Sequence, residues 1–177
     1  AAVKGIQACG ASACIKHFAC NNQEFARTIN DARVSERALR QIYLKGFEIC
    51  IKDSSPKNIM TSYNKINGVY SYFNYDLCTS ILRGEWGYKG NVMTDWWTKP
   101  GKSPEFGTIR NQAYRVRAQV DVLMPGGGKL GLKVPDGTLL ESLGKEGGIT
   151  LGELQRSAAN VLRFAMNSTA FNENTAE

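Results

Sequence analysis

Four short stretches of this chain end in side chains that could do chemistry together. Lys16 and His17 close the first stretch, Tyr63 and Asn64 the second, and Asp95 and Trp96 the third. Met124-Pro125-Gly126 closes the fourth. A lysine can form a Schiff base with a carbonyl substrate. A carboxylate beside a tryptophan suits a polar ring, with hydrogen bonds at its edge and an aromatic face against it. Each residue also has a duller reading. Lys16 could be an inward lysine paired with Asp95, His17 a satisfied core histidine, and Tyr63 a packing residue. Asp95 could be a helix N-cap, and Trp96-Trp97 could be core. The coincidence of all four ends favours function.

The stretches themselves read as strands. Ala13–Phe18, Asn58–Tyr63, Asn91–Asp95 and Val120–Met124 are apolar runs bounded by Gly, Asn, Pro or Ser. Helical patterns lie between them. Ser35 precedes Glu36-Arg37 as an N-cap with an acidic first turn. Leu39, Ile42, Tyr43, Phe47 and Cys50 then recur at helical spacing and predict one apolar face. Further helices are expected near Tyr75–Trp86 with Gly87 as C′ residue, near Thr108–Gln119, over Leu139–Lys145, and from the N-cap Thr150 to about residue 166. Strand–helix–strand alternation predicts an α/β fold with a parallel sheet buried on both faces. A complete (β/α)8 barrel takes about 250 residues. Four strands in 177 residues therefore predict a partial (β/α)8, TIM-type barrel over 1–177, with the motifs concentrated in 13–127. In such barrels the active site lies at the C-terminal ends of the strands, where these polar residues fall. A partial barrel leaves sheet edges open, which predicts self-association or association with the rest of a barrel.

Composition narrows the classes. Hydrophobic residues are 42% and charged residues 21%, which fits a globular chain and not a disordered one. The longest apolar runs fall far short of a membrane span, so no membrane partner is expected. The net charge is +6, but the basic residues are scattered, which argues against nucleic acid. No signal peptide is visible at the start, and the cysteine usage slightly favours a cytoplasmic setting. Cys9, Cys14, Cys20, Cys50 and Cys78 fit no common zinc spacing and read as buried free thiols. No metal and no cofactor is expected. Asn167-Ser168-Thr169 is a glycosylation sequon that matters only in a secreted eukaryotic protein. Gly126–Gly131 spells G-x-G-x-x-G, but no helix pattern opens after it, so a dinucleotide site is not expected.

The segments KHFACNNQE, SERALRQIYLKGFE, NIMTSYNKINGVYS, LRGEWGYKGNVMTDWW and VDVLMPGG, in this order, closely resemble the catalytic barrel of family 3 glycoside hydrolases, the β-glucosidase/β-xylosidase group. The resemblance runs from about Lys16 to Gly127 and more weakly through ITLGELQRSAANVLRF. It implies a retaining β-glycosidase acting on a small carbohydrate, a β-glucoside or β-xyloside. It implies that Asp95 is the nucleophile that forms a glycosyl-enzyme intermediate. Lys16 and His17 would hydrogen-bond sugar hydroxyls, and a lysine beside Asp95 would keep it ionised. Met60 and Tyr63 would border the sugar, and Trp96 would wall it.

The family pattern also has parts with no counterpart here. These are the earlier barrel strands, with their sugar-binding aspartate and arginine, and the acid/base glutamate, which usually comes from a second domain. The chain is therefore expected to resemble the C-terminal half of the barrel. Within it, Glu24, Glu85 and Glu105 are the carboxylates to consider as acid/base. A catalytically silent sugar-binding or assembly piece is the alternative, and a Schiff-base lyase using Lys16 a more distant one.

Overall fold

The computed structural model describes residues 1–98, 112–125, 138–169 and 171. In chain order its strands are β1 (Cys14–Phe18), β2 (Asp31–Ala32), β3 (Asn58–Thr61), β4 (Lys65–Ile66), β5 (Val69–Tyr70), β6 (Asn91–Trp96) and β7 (Val122–Met124). Its helices are α1 (Ala2–Ala8), α2 (Glu36–Ala38 continuing through Leu39–Tyr43 and Lys45–Ser54), α3 (Asp76–Glu85), α4 (Ala113–Arg117), α5 (Thr138–Ser142) and α6 (Leu151–Met166). β1, β3, β6 and β7 form one sheet in that order, parallel throughout. This is the sheet expected from the four apolar runs. Phe18, Ile59, Val92 and Val120 meet Leu39, Leu44, Ile51, Leu77, Ile81 and Leu82 of α2 and α3 in one core. Burying each such side chain stabilises the fold by roughly 1.5–3 kcal/mol.

The apolar face expected on α2 is corrected. Leu39, Leu44 and Ile51 are buried, whereas Ile42 is 67% exposed and Tyr43 lies at the surface. The cause is local winding. Leu44 N donates to Leu39 O, an i→i+5 bond, so residues five apart replace residues four apart on the inner face. Ser35 does cap the helix, its Oγ accepting from Ala38 N at 3.2 Å. α3 is wound the same way and buries Leu77, Cys78, Ile81 and Leu82. Gly87 follows it at φ +68°, a left-handed conformation that favours glycine.

α4 is shorter than expected at Ala113–Arg117, and part of the expected span lies outside the described residues, as do Glu105 and Gly126–Gly131. α5 stops at Ser142 rather than Lys145 because Gly144, at φ +73°, turns the chain and donates to Ile149 O. α6 begins with a capping box in which Thr150 and Glu153 satisfy each other's backbone N–H groups. Its most buried side chains are polar, Ser157 and Asn160, while Leu154 packs half-buried against Ala113, Val116 and Ile149, and Leu151 and Leu162 are exposed. The expectation of buried thiols holds for Cys20 and Cys78 but not for Cys9 and Cys14, which are exposed.

A second, small sheet of β2, β4 and β5 was not expected from the sequence. β4 and β5 form a hairpin about Asn67-Gly68, both with positive φ as a type I′ turn requires. Asn67 brackets Val34 with two hydrogen bonds, and Asp31 Oδ1 accepts from Gly68 N, so β2 is pinned beside the hairpin.

Candidate active site

The sheet is irregular in two places, and the site residues sit at both. Ile15 pairs with Ile59 and Phe18 with Thr61, so Lys16 and His17 together oppose Met60 alone. Met93 pairs with Val122 and Trp96 with Met124, so Thr94 and Asp95 oppose Leu123. An extra residue on one strand of a pair redirects the side chains around it, a common device beside active sites. Buried Thr94 fixes the second irregularity, its Oγ1 accepting from Met124 N at 2.9 Å.

Asp95 is 6% exposed. Its Oδ1 accepts from Trp96 N at 2.7 Å. Its Oδ2 lies 3.5 Å from His17 Nε2, is buried, and has no hydrogen bond among the described residues. Most buried oxygens are satisfied, and leaving a carboxylate oxygen bare is costly. A lone pair held free in this way is available to a hydroxyl donor or an electrophilic carbon. Burial pushes the His17 pKa below 6.5; Asp95 opposes this, while Lys16 and Arg27 add to it. The imidazole is therefore neutral at pH 7, able to donate from one nitrogen and accept at the other.

Tyr63 closes the other side. Its hydroxyl donates to Trp96 O at 2.6 Å, so the Trp96 residue is held at both its N–H, by Asp95, and its C=O. Burial, and then the charge of Asp95, raise the Tyr63 pKa, which keeps the phenol protonated. Behind it Ser62 and Asn64 both donate to Ala19 O, and Ser62 shares a 2.7 Å hydrogen bond with Ser71. These buried bonds lock the chain after β1 to the chain after β3.

Trp96 and Trp97 are not core: they are exposed, edge to face, with centroids 5.3 Å apart. Trp97 holds φ +53°, and its N–H donates to Met124 O. A bulky residue in the left-handed region is uncommon and is typical of functional loops.

The structure thus brings His17, Tyr63, Asp95 and Trp96 together, with Met60 half-buried alongside on β3. Lys16 is exposed, in an open groove with Ile15, Ile42, Tyr43 and Phe47. Among the described residues the ion-pair partner of Asp95 is His17 rather than Lys16. An exposed lysine is also poorly placed for Schiff-base chemistry, which favours a desolvated amine. Glu85 is bound to Arg40 in an exposed cluster on α3, and that guanidinium holds its carboxyl below the usual range, unlike a general acid near neutrality.

Arg27 had no signal in the sequence. It lies in a polar loop without periodicity, yet its guanidinium sits 4.8 Å above the Tyr63 ring. A separate cavity of about 470 Å³, between Pro56, Trp86, Tyr88 and Phe164, lies towards the opposite ends of the strands and contains none of these residues. Among the described residues, no group of three or more His, Cys, Asp or Glu could hold a metal ion, and no helix is long and apolar enough to cross a membrane.

Comparison with known proteins gives one consistent result. The sequence profile of the Glycosyl hydrolase family 3 N terminal domain matches residues 1–164. A beta-glucosidase of Ruminococcus albus is 43% identical over 174 residues, which is 96% of this chain and 18% of that protein. An exo-alpha-(1->6)-L-arabinopyranosidase of Bifidobacterium breve is 53% identical over 94 residues, 53% of this chain and 12% of that protein. Beta-glucosidase 3B of Thermotoga neapolitana, solved in complex with alpha-D-glucose, superposes with a TM-score of 0.82 at 39% identity. That match covers 97% of this chain and 23% of the other. A Paenibacillus barengoltzii beta-glucosidase gives 0.84 at 48% identity, covering 96% and 18%. The chain matches between 12% and 23% of the length of these relatives. The parallel sheet and its helices are thus part of a TIM-type barrel, and the chain belongs to glycosyl hydrolase family 3, within its N-terminal domain.

Proposed function

We propose that these residues form the nucleophile and sugar-binding part of a retaining β-glycosidase site, β-glucosidase-like, with the acid/base supplied from outside the 177 residues. The observation that carries this reading is Asp95 Oδ2, buried at the C-terminal end of a barrel strand beside His17 and without a hydrogen bond among the described residues. Asp95 attacks the anomeric carbon as the bond to the leaving oxygen breaks; that oxygen takes the proton of the acid/base and departs as the alcohol, and a covalent glycosyl-enzyme forms. A water molecule, deprotonated by the acid/base, then displaces the sugar from Asp95 and restores the carboxylate. Trp96 N–H steadies Oδ1 and leaves Oδ2 as the attacking atom. Neutral His17 offers a donor to a sugar hydroxyl, and Tyr63, whose proton lies on Trp96 O, offers an acceptor. Exposed Trp96 offers a stacking face and Met60 borders the ring, while Lys16, which the resemblance also implies in sugar binding, lies in the groove beside β1. The beta-glucosidases among the relatives support a small β-glucoside as substrate, and the relative named an arabinopyranosidase leaves the identity of the sugar open.

The test is Asp95→Asn. An activated 2-fluoroglycoside is expected to add one glycosyl mass to the unmodified chain and none to the variant, with the fold retained by circular dichroism. Equal labelling of the variant would remove Asp95 from the nucleophile role.

The partner follows from the edges. β1 pairs on one side only among the described residues, and beside it lies the groove of Ile15, Ile42, Tyr43 and Phe47. This edge pairs with further barrel strands or with another copy of the chain. Light scattering is expected to find the isolated chain associated; a stable monomer of about 20 kDa without dye-binding apolar surface would contradict this.

A further inference from the structure

We propose that Asn67 is a modification site: the hairpin keeps its side-chain amide from hydrolysis, and local opening of the small sheet releases it to a reaction that then prevents the sheet from closing again. Asn67-Gly68 is the only Asn-Gly pair in the 177 residues. The inference is independent of the sugar-site reading.

The reaction lies within the pair itself. The Gly68 nitrogen loses its proton and attacks Asn67 Cγ; the Cγ–Nδ2 bond breaks, and ammonia leaves with that proton. A succinimide ring results. Water then opens the ring at either carbonyl, which gives aspartate or its β-linked isomer. The net change is one water consumed and one ammonia released, with no oxidant or other reactant. Glycine favours the attack because it has no Cβ to shield the nitrogen.

In the closed hairpin both reacting groups are engaged elsewhere. Asn67 Oδ1 accepts from Val34 N at 3.0 Å, and Nδ2 donates to Val34 O at 2.9 Å, so the amide is held from both ends. The attacking nitrogen donates to Asp31 Oδ1 at 2.8 Å. A carboxylate there disfavours the amide anion that has to form. Arg33 Nη2, 2.7 Å from Asp31 Oδ2, holds that carboxylate in place. Asn67 N–H donates to Ala32 O, which ties the turn to β2 a further time. Asn67 is exposed, so these bonds protect it and exclusion of water does not. The product closes poorly. A carboxylate at this position has no N–H for Val34 O and stands beside Asp31, where like charges repel. The β-linked isomer also lengthens the backbone inside a turn whose flanks, Ile66 and Val69, are paired.

Tandem mass spectrometry of the tryptic peptide that begins at Ile66 reads conversion of Asn67 over time at mildly alkaline pH. The folded chain is expected to react at least roughly tenfold more slowly than the same chain unfolded in urea, since opening has to precede attack. Asp31→Asn keeps an oxygen acceptor and removes the charge; it is expected to speed the reaction of the folded chain several-fold. Asn67→Asp reproduces one product. It is expected to speed amide hydrogen exchange at Lys65, whose N–H is held by Asn30 O, and to leave exchange at Val92, held by Asp121, as it was. Equal rates in the folded and unfolded chain would overturn the proposal. So would an unchanged rate in Asp31→Asn, or unchanged Lys65 exchange in Asn67→Asp. Faster exchange at Val92 in Asn67→Asp would show general unfolding in place of a local opening, and would overturn it as well.

Discussion

A natural disaccharide such as cellobiose is expected to turn over hardly at all on these 177 residues, while an aryl glycoside gives a brief burst and then stalls. The two differ in the leaving group. Nitrophenolate departs without a proton, so on the proposed reading glycosylation needs only Asp95. A sugar hydroxyl needs an acid, and the covalent adduct needs a base to activate water. Loss of the acid/base costs roughly 10²–10⁴-fold in rate. Azide, which attacks without a base, is expected to relieve the stall. Full turnover of cellobiose by the purified chain would place an acid/base within it. Glu24 is exposed and bound to Arg27, and Glu85 is bound to Arg40, so Glu105 would be the first to mutate.

The largest effect on stability is expected at Asp121, far from this chemistry. Its side chain is fully buried, and its Oδ2 lies 2.7 Å from an Arg83 Nη2 that is itself only a tenth exposed at the side-chain level. Asp121 also accepts from Val92 N and Asn160 Nδ2, both at 3.0 Å, while Arg83 donates to Gly90 O and Gln119 O. One carboxylate thus ties α3, β6 and α6 to the start of β7. Asp121→Ala leaves a buried guanidinium without its counter-charge, a loss of about 3–5 kcal/mol. Urea midpoints compared at equal protein concentration measure it, since association alters apparent stability. A loss below about 1 kcal/mol would show that the network does not hold the sheet to α6.

The same network shows where sequence patterns carry information and where they do not. β3 and β6 were readable because their buried Ile59 and Val92 lie in short runs between turn residues, and β1 and β7 as similar runs, although β1 alternates exposed and half-buried positions up to buried Phe18 rather than being buried on both faces. α6 was readable from Thr150 and its spacing, but not its orientation, because buried Ser157 and Asn160 serve Asp121, a partner 36 to 39 residues away. α2 misled because i→i+5 winding has no signature in the spacing of Leu39, Ile42 and Tyr43. The hairpin at Asn67-Gly68 did carry a turn signal, but its two-residue strands are too short to show alternation.

In the site, polar residues at strand ends pointed to Lys16, His17, Tyr63, Asp95 and Trp96. The irregularities at Lys16-His17 and Thr94-Asp95 decide which of them meet, and a single extra residue leaves no trace in composition. That is why His17, and not Lys16, stands against Asp95. Arg27 reaches Tyr63 only through the folded loop, 36 residues away in sequence, and no local pattern announces it.

The central claim is that Asp95 Oδ2 is the atom that bonds to the sugar. Digestion of the chain after reaction with an activated 2-fluoroglycoside, followed by tandem mass spectrometry, reads the modified residue directly. The adduct is expected as an ester on Asp95, in the peptide containing Val92-Met93-Thr94-Asp95-Trp96-Trp97. An adduct on Glu24 or Lys16, with Asp95 unmodified, would contradict it.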